Sequence, residues 1–194
     1  QIYGILYTRI SRGISAPQTL SFPVSRAPPG AQDFIKFGGK QMKALYKYAA
    51  GPETSRLEDR PIPELTDRDN VRVKVLACAV CGMDVHIYHG KFPCDPPFIL
   101  GHEVVGIVES VKPGVTSVAP GDRVVAQPHL YACGHCQTCK DGFPQYCKDK
   151  RSIGINRDGA MTDYVVLPDR YLHKIPDSIP NHIACLLEPF TIQV

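Results

Sequence analysis

Short apolar runs, one of them alternating with basic residues, recur along the chain between turn residues, and this is the pattern of β-strands. Residues 71–77 alternate apolar with basic side chains, and residues 104–111 form a β-branched run that closes at a Pro-Gly turn. Further strands are predicted at 124–126 and Tyr164–Leu167. Short strands separated by Pro and Gly predict a mainly β fold, a barrel or a sandwich.

Helical periodicity is predicted only near the end of the sequence. Pro180 precedes Asn181, and we expect Asn181 to cap a helix that runs through Ala184 and Leu187.

The first 41 residues differ from the rest. They are rich in Ser, Arg, Pro and Gly, lack periodicity and carry a net charge of +4, so the remainder of the chain carries −1. One interpretation is a disordered or artefactual extension upstream of a start at Met42. The other is an organelle transit peptide, because the segment is Arg- and Ser-rich and poor in acids, although its prolines weaken that interpretation.

The overall composition excludes several classes of protein. No apolar run approaches the roughly 18–20 residues of a membrane span. A net charge of +3, mostly contributed by the first 41 residues, does not indicate a nucleic-acid partner. We therefore expect a soluble, cytoplasmic protein. A reducing compartment is also expected, because the closely spaced cysteines described next are suited to binding metal and must stay reduced to do so.

Four cysteines lie within fifteen residues in the spacing C-x2-C-x2-C-x7-C: Cys133, Cys136, Cys139 and Cys147. Four thiolates at this spacing fill a tetrahedral zinc site and leave no position for substrate, so the predicted zinc is structural. Two disulfides or four free thiols are the alternatives. His135, inside the cluster, is interpreted as a solvated loop residue.

A second candidate metal site combines Cys81 with His102. A catalytic zinc takes three protein ligands and keeps a fourth position open, which suits one cysteine and one histidine well separated in sequence. Taken singly, each residue is more often part of a core, and Cys78 with Cys81 has the spacing of a redox pair.

Several motifs resemble those of the zinc-containing medium-chain alcohol dehydrogenases. Residues 101–106, Gly-His-Glu-Val-Val-Gly, resemble the family's G-H-E-x-x-G signature. Residues 81–86, Cys-Gly-Met-Asp-Val-His, resemble the C-G-[ST]-D-x-H segment of the polyol and threonine dehydrogenase branch. The cysteine cluster, the turn at 121–124 and residues 187–189 also match in order, so the resemblance covers residues 42–194.

The resemblance implies an irregular, mainly antiparallel barrel like that of GroES, with an inserted zinc lobe and a short C-terminal helix. It divides the chain into a leader (1–41), a zinc-binding catalytic domain (42–180) and the start of a linker helix (181–194). We expect a nucleotide-binding Rossmann domain beyond the chain, which would bind NAD or NADP. A homo-oligomer is expected for the full-length protein, and the chain alone is expected to be inactive.

The family pattern also implies roles for particular residues. Cys81 and His102 would bind the catalytic zinc. Glu188 occupies the place where polyol-type enzymes have a third ligand, and Glu103 would either coordinate directly or exchange with Glu188. Asp84 would orient a ligand through a hydrogen bond.

One position departs from the family pattern. Met83 stands where the family usually has Ser or Thr, whose hydroxyl passes the alcohol proton outward, and His86 resembles the outer end of that relay. Cys78, Cys94 and Cys185 are interpreted as ordinary thiols.

These features predict a zinc-dependent, NAD(P)-linked oxidoreductase with two zinc ions per chain. Its substrate would be a secondary alcohol, a polyol or a hydroxy amino acid, interconverted with the ketone. Two alternatives stay open: a non-catalytic, zinc-stabilised binding module, and a zinc-free reductase of the wider superfamily.

Overall fold

The computed structural model describes residues 41–191. The leader predicted at 1–41 therefore lies outside the described residues except for Gln41, which begins the first strand, and residues 192–194 also lie outside. No helix among the described residues is long and apolar enough to cross a membrane.

Strands dominate the described part of the chain, as the alternating pattern predicts. They are β1 (Gln41–Lys47), β2 (Ser55–Pro61), β3 (Val71–Ala79), β4 (Phe98–Ile99), β5 (Glu103–Val111), β6 (Arg123–Ala126), β7 (His129–Leu130), β8 (Arg151–Ser152), β9 (Tyr164–Leu167) and β10 (Leu172–Lys174). The helices are short: α1 (Gly82–Tyr88), α2 (Gln137–Lys140), α3 (Asn181–Ala184) and α4 (Leu187–Phe190).

The strands form three separate sheets with antiparallel neighbours. Their orders are β2-β1-β4, β10-β6-β5-β3-β9 and β7-β8, and the sheets do not close into a barrel. An isolated antiparallel bridge between Ala44 and Thr162 connects β1 to the segment before β9. The mainly β prediction is confirmed.

Alternation along β3 and β9 places one face of the five-stranded sheet in the main core. Val71 and Val73 are buried whereas Lys74 is exposed, and Val165 and Leu167 are buried on β9. The central strand β5 is buried at most of its positions because α3 and α4 pack over part of its other face. Burial on both faces removes the alternation, and the β-branched run in the sequence reflects this.

The helix predictions were partly wrong. Helix α1 was not predicted, because its N-cap is Cys81, a residue that is no conventional capping signal. The predicted C-terminal helix is two short helices, and Pro180 rather than Asn181 is the N-cap of α3. Asn181 does not cap because its Oδ1 accepts a hydrogen bond from Arg123 Nη2 at 2.6 Å.

Candidate metal centres

The four-cysteine lobe is an excursion from the body of the protein. Strands β7 and β8 pair with each other immediately before and after it, so the two ends of the lobe lie side by side. This pair of strands is called the stem of the lobe below. Between residues 132 and 150 only Cys147 is buried. Such a segment has almost no hydrophobic core and needs another source of order.

All four cysteine sulfurs lie within 4.8 Å of one another. Cys133 and Cys139 Sγ are 4.0 Å apart, and Cys136 and Cys147 Sγ are 3.8 Å apart. A disulfide is about 2.05 Å long, whereas sulfurs about 2.3 Å from a tetrahedral zinc are about 3.8 Å from each other. The geometry therefore fits a metal and not the two disulfides considered as an alternative.

Hydrogen-bond donors make two of the four thiols of the lobe more acidic than a free cysteine. The Thr138 hydroxyl and the Cys139 backbone N–H lower the pKa of Cys136 to about 6, and the backbone N–H of Cys133 lowers the pKa of Cys147. Burial raises the pKa of Cys139 to about 12. Without a cation, negative charge on one sulfur opposes ionisation of the next, so a divalent cation would satisfy the set as a whole. His135 is exposed and its Nδ1 lies 2.9 Å from the Cys133 carbonyl oxygen.

A second group unites Cys81, His102 and Glu103, whose ligand atoms also lie within 4.8 Å of one another. Cys81 is the N-cap of α1, and Glu103 begins β5 directly after His102. His102 and Glu103 are only 4% and 5% exposed. The fold thus brings together residues that are about twenty positions apart in sequence.

Asp84 ties the two ligand segments to each other. Its Oδ2 accepts a hydrogen bond from the Cys81 backbone N–H at 2.9 Å, and its Oδ1 accepts one from the Gly101 N–H at 3.3 Å. The same Oδ1 lies 3.6 Å from His102 Nδ1, which is longer than a hydrogen bond. The buried carboxylate therefore holds both segments mainly by their backbones.

The donor set suits zinc. His102 Nδ1 is buried and has no hydrogen-bond partner among the described residues. A buried polar atom destabilises the fold unless a hydrogen bond or an ion compensates for the water that it has lost. Burial lowers the pKa of His102, but Asp84 and Cys81 beside it outweigh burial and raise that pKa to about 10. The surroundings thus favour positive charge. Sulfur, imidazole nitrogen and carboxylate oxygen are all zinc ligands.

Comparison with known proteins identifies the fold. Residues 67–177 match the alcohol dehydrogenase GroES-like domain family, which is more than half of the chain. The chain belongs to this family. The predicted resemblance to the zinc-containing alcohol dehydrogenases is thereby confirmed.

Individual relatives have names that agree with this assignment. The L-threonine 3-dehydrogenase of Anaeromyxobacter sp. (strain Fw109-5) is 38% identical over 153 residues, which are 77% of this chain and 44% of that protein. A zinc-binding dehydrogenase from Sinorhizobium meliloti 1021, bound to NADP, has a TM-score of 0.70 at 37% identity and matches 76% of this chain and 42% of that one.

Galactitol-1-phosphate dehydrogenase from Escherichia coli also has a TM-score of 0.70, at 31% identity, over 77% of this chain and 42% of that one. The chain therefore spans less than half the length of the relatives that it matches.

Glu188, which follows the matched residues 67–177, lies near the second group but is not part of it. It is half-buried on α4, and burial raises its pKa while the charge of His102 lowers it. Its own charge helps to raise the pKa of Glu103, after burial of Glu103 itself. Of the two carboxylates proposed as the third ligand, Glu103 is the one whose oxygen lies within 4.8 Å of the Cys81 and His102 ligand atoms.

The thiols interpreted as ordinary core residues are buried or half-buried. Cys185 packs with Ala79 and Val105 beneath α3, and Cys78 belongs to the main core. Burial raises the pKa of both thiols. Cys94 is half-buried in an apolar cluster with Phe98.

The two residues of the expected proton relay face different surroundings. His86 is exposed on α1. Met83 is half-buried and packs against the apolar cluster of Ile87, Phe98 and Leu100. A thioether in an apolar cluster has no proton to transfer, so the departure seen in the sequence persists in three dimensions.

Sequence reasoning missed one residue near the second group. His129 on β7 is half-buried, and burial lowers its pKa, as do the charges of Lys150 and His102. Its Nδ1 lies 3.0 Å from Ser152 Oγ, across the stem of the cysteine lobe. A lone histidine after a proline carries no local signal of function, so only the fold reveals that His129 lies close enough to His102 for the charge of His102 to lower the pKa of His129.

Proposed function

We propose that this chain is the metal-binding half of a zinc-dependent, NAD(P)-linked dehydrogenase that interconverts a secondary alcohol and its ketone. The observation that carries the proposal is the grouping of half-buried Cys81 with buried His102 and Glu103. In this proposal residues 42–180 form the catalytic domain, and residues 181–194 begin the connection to a nucleotide-binding domain.

In this proposal Cys81, His102 and Glu103 hold the catalytic zinc, with Glu188 close enough to exchange with Glu103. Zinc held there would supply a Lewis acid that lowers the pKa of the substrate hydroxyl. Asp84 fixes the two ligand segments relative to each other, so the three side chains converge before substrate arrives. The burial of His102 and Glu103 limits access of water to the reacting centre.

The hydride acceptor is a nicotinamide bound by a further domain of the whole protein. Support for it comes from the relatives, since the matching Sinorhizobium meliloti dehydrogenase binds NADP and this chain spans 42% of it. The names of the relatives also favour a hydroxy amino acid or a polyol derivative as substrate. The alcohol proton would leave through water, because Met83 offers no hydroxyl.

The four cysteines of the lobe are proposed to hold a second, structural zinc. Its role is to order residues 132–150, where only Cys147 is buried. A closed set of four thiolates leaves no position for substrate, so this zinc takes no part in the chemistry.

The rival function is a non-catalytic, zinc-stabilised module, which is favoured by the apolar packing of Met83. Metal analysis of the purified full-length protein separates the two. Two zinc ions per chain support the dehydrogenase, one supports the module, and none contradicts both.

Activity gives the second test. The full-length protein is assayed with NAD or NADP against threonine, sugar alcohols, sugar-alcohol phosphates and ethanol. Oxidation of a hydroxy amino acid or polyol that is lost in His102→Gln is expected. Zinc at both sites without turnover of any of these substrates would leave the module as the better interpretation.

A further inference from the structure

The segment that carries His102 is supported from behind by residues 154–161, called the support loop below. The backbone N–H groups of Gly159, Ala160 and Met161 donate hydrogen bonds of 2.7–2.9 Å to the carbonyl oxygens of residues 99–101. A Cβ atom at Gly159 would overlap the Gly101 carbonyl oxygen. The position of the His102 backbone therefore depends on where the support loop lies.

Arg157 fixes the support loop to the body of the protein. Its Nη2 donates to Asp69 Oδ2 at 2.7 Å and to the Tyr131 hydroxyl at 3.3 Å. Asp69 is 6% exposed, and its other oxygen is buried without a hydrogen-bond partner in the described part of the chain. A buried carboxylate with so few partners depends strongly on the Arg157 cation beside it.

Tyr131 connects the same arginine to the cysteine lobe. It lies two residues before Cys133, and the Arg157 guanidinium stands 4.6 Å from the centre of its ring. Its backbone has φ of +59°, a strained value for a residue with a side chain, and its N–H donates to the Tyr171 hydroxyl at 3.1 Å. Such a conformation persists only where the surroundings hold it, and here Arg157, Tyr171 and Arg68, whose guanidinium also lies over the Tyr131 ring, do so.

We infer that Arg157 is a positioning residue that couples order in the four-cysteine lobe to the placement of His102. The contacts run from the lobe stem through Tyr131 to Arg157, and from the support loop to residues 99–101. Filling the four-cysteine site orders the stem, and the stem holds Arg157 and with it the support loop. This inference rests on the proposed function, since it concerns metal binding by His102.

The test is a double-mutant cycle in the full-length protein. Cobalt(II) replaces zinc, and spectroscopic titration gives the cobalt affinity of the site at Cys81, His102 and Glu103. Arg157→Gln and Cys139→Ser are each expected to weaken that affinity by about 3- to 30-fold, the usual range for coupling between sites. The double variant is expected to be no weaker than the weaker single variant, because both changes break the same connection.

Arg157→Lys and Arg72→Gln are the matched variants. Lysine keeps the charge and loses the forked contact, so it should give an intermediate affinity. Arg72 makes an exposed ion pair of 2.8 Å with Glu109, and its loss should leave the affinity unchanged. Circular dichroism and urea unfolding identify the conditions under which every variant is folded, and affinities are compared only there. Under those conditions a substitution that only lowers the stability of the fold leaves the metal affinity unchanged.

The outcomes separate the two proposals. If the wild-type protein binds cobalt only at the four cysteines, the proposed function fails. If it binds cobalt at both sites while Arg157→Gln leaves the second affinity unchanged, or if the two single effects multiply, the positioning role of Arg157 is overturned and the proposed function stands.

Discussion

Asp84 connects the two segments that carry the candidate ligands of the second site. Its two oxygens bind backbone N–H groups from two separate segments, one at Cys81 and one at Gly101. The same carboxylate closes the first turn of α1, whose N-cap is Cys81. One buried side chain therefore stabilises a helix end and sets the distance between the segments of two candidate ligands.

Replacing Asp84 by Asn tests this role. Asn has an NH2 group in place of one carboxylate oxygen, and this group cannot accept the backbone hydrogen bond that the oxygen accepts in Asp84. We therefore expect zinc affinity at this site to fall by about 10- to 100-fold. Competition with a chromophoric chelator measures the affinity in the full-length protein. The exposed Asp177→Asn is the matched control, and equal affinities for the two variants would contradict the role.

Met83 permits a second test at the residue scale. Met83→Thr restores the hydroxyl that the family usually has there, and a positioned proton-transfer group contributes about 10²–10⁴ to the rate. We expect kcat of the full-length protein to rise at least about tenfold, at a cost of about 1–2 kcal/mol in stability from lost packing.

Met83→Leu is the control, since it keeps the apolar volume without a hydroxyl and should leave kcat unchanged. A Thr variant no faster than the Leu variant would show that the proton does not leave along this segment.

Strand β5 is the element on which the second centre is built. Glu103 is its first residue, and β3 and β6 flank it in the five-stranded sheet. Gly106 lies where β3 comes closest, since a Cβ there would be 2.5 Å from the Lys74 carbonyl oxygen. The last glycine of the sequence motif is thus explained by the close approach of two strands and not by chemistry.

Gly106→Ala should therefore destabilise the fold. Overpacking between two central strands costs about 1–3 kcal/mol, measured as the free energy of unfolding in urea. Ser110→Ala, near the exposed end of the same strand, should change that free energy by less than about 0.5 kcal/mol. A Gly106 variant as stable as the Ser110 variant would mean that β3 moves aside without cost.

At the scale of the whole molecule, the body and the cysteine lobe are stabilised by different physical means. The body buries apolar side chains between sheets and under α3 and α4, as in the cluster of Val71, Val73 and Val108. The lobe buries almost nothing and groups four thiols instead. Metal loss should therefore affect the two parts unequally.

Chelation gives the corresponding prediction. Removing zinc with a strong chelator should make amides in residues 132–150 exchange hydrogen rapidly, while β3 and β5 stay protected, because zinc binding supplies the folding free energy of such lobes. Hydrogen exchange with mass spectrometry measures both regions in one sample. Equal loss of protection in the lobe and in the sheet would show that the body also needs the metal.

Local patterns in the sequence determined much of this protein. Alternation predicted β3 to within a few residues, because a strand with one buried face has a period of two. Short apolar runs next to Pro and Gly predicted β6 and β9. The four-cysteine spacing predicted that the thiols of the lobe gather in one place, because gaps of two residues let successive cysteines fold around one ion. The sequence alone also singled out Cys81 and His102, which the fold brings close together.

Contacts between distant segments decided the rest. The sequence left Glu103 and Glu188 open as alternatives, and the start of β5 places Glu103 with His102 and Cys81. Helix α1 was not predicted because its N-cap, Cys81, is no conventional capping residue. Asp84, which completes the cap, also accepts a hydrogen bond from a segment seventeen residues away. The support of His102 by residues 154–161 leaves no local signal, because it consists of backbone hydrogen bonds and one arginine whose partners are distant in sequence. Periodicity and ligand spacing are local properties, whereas convergence of side chains on one point depends on the packing of the whole fold.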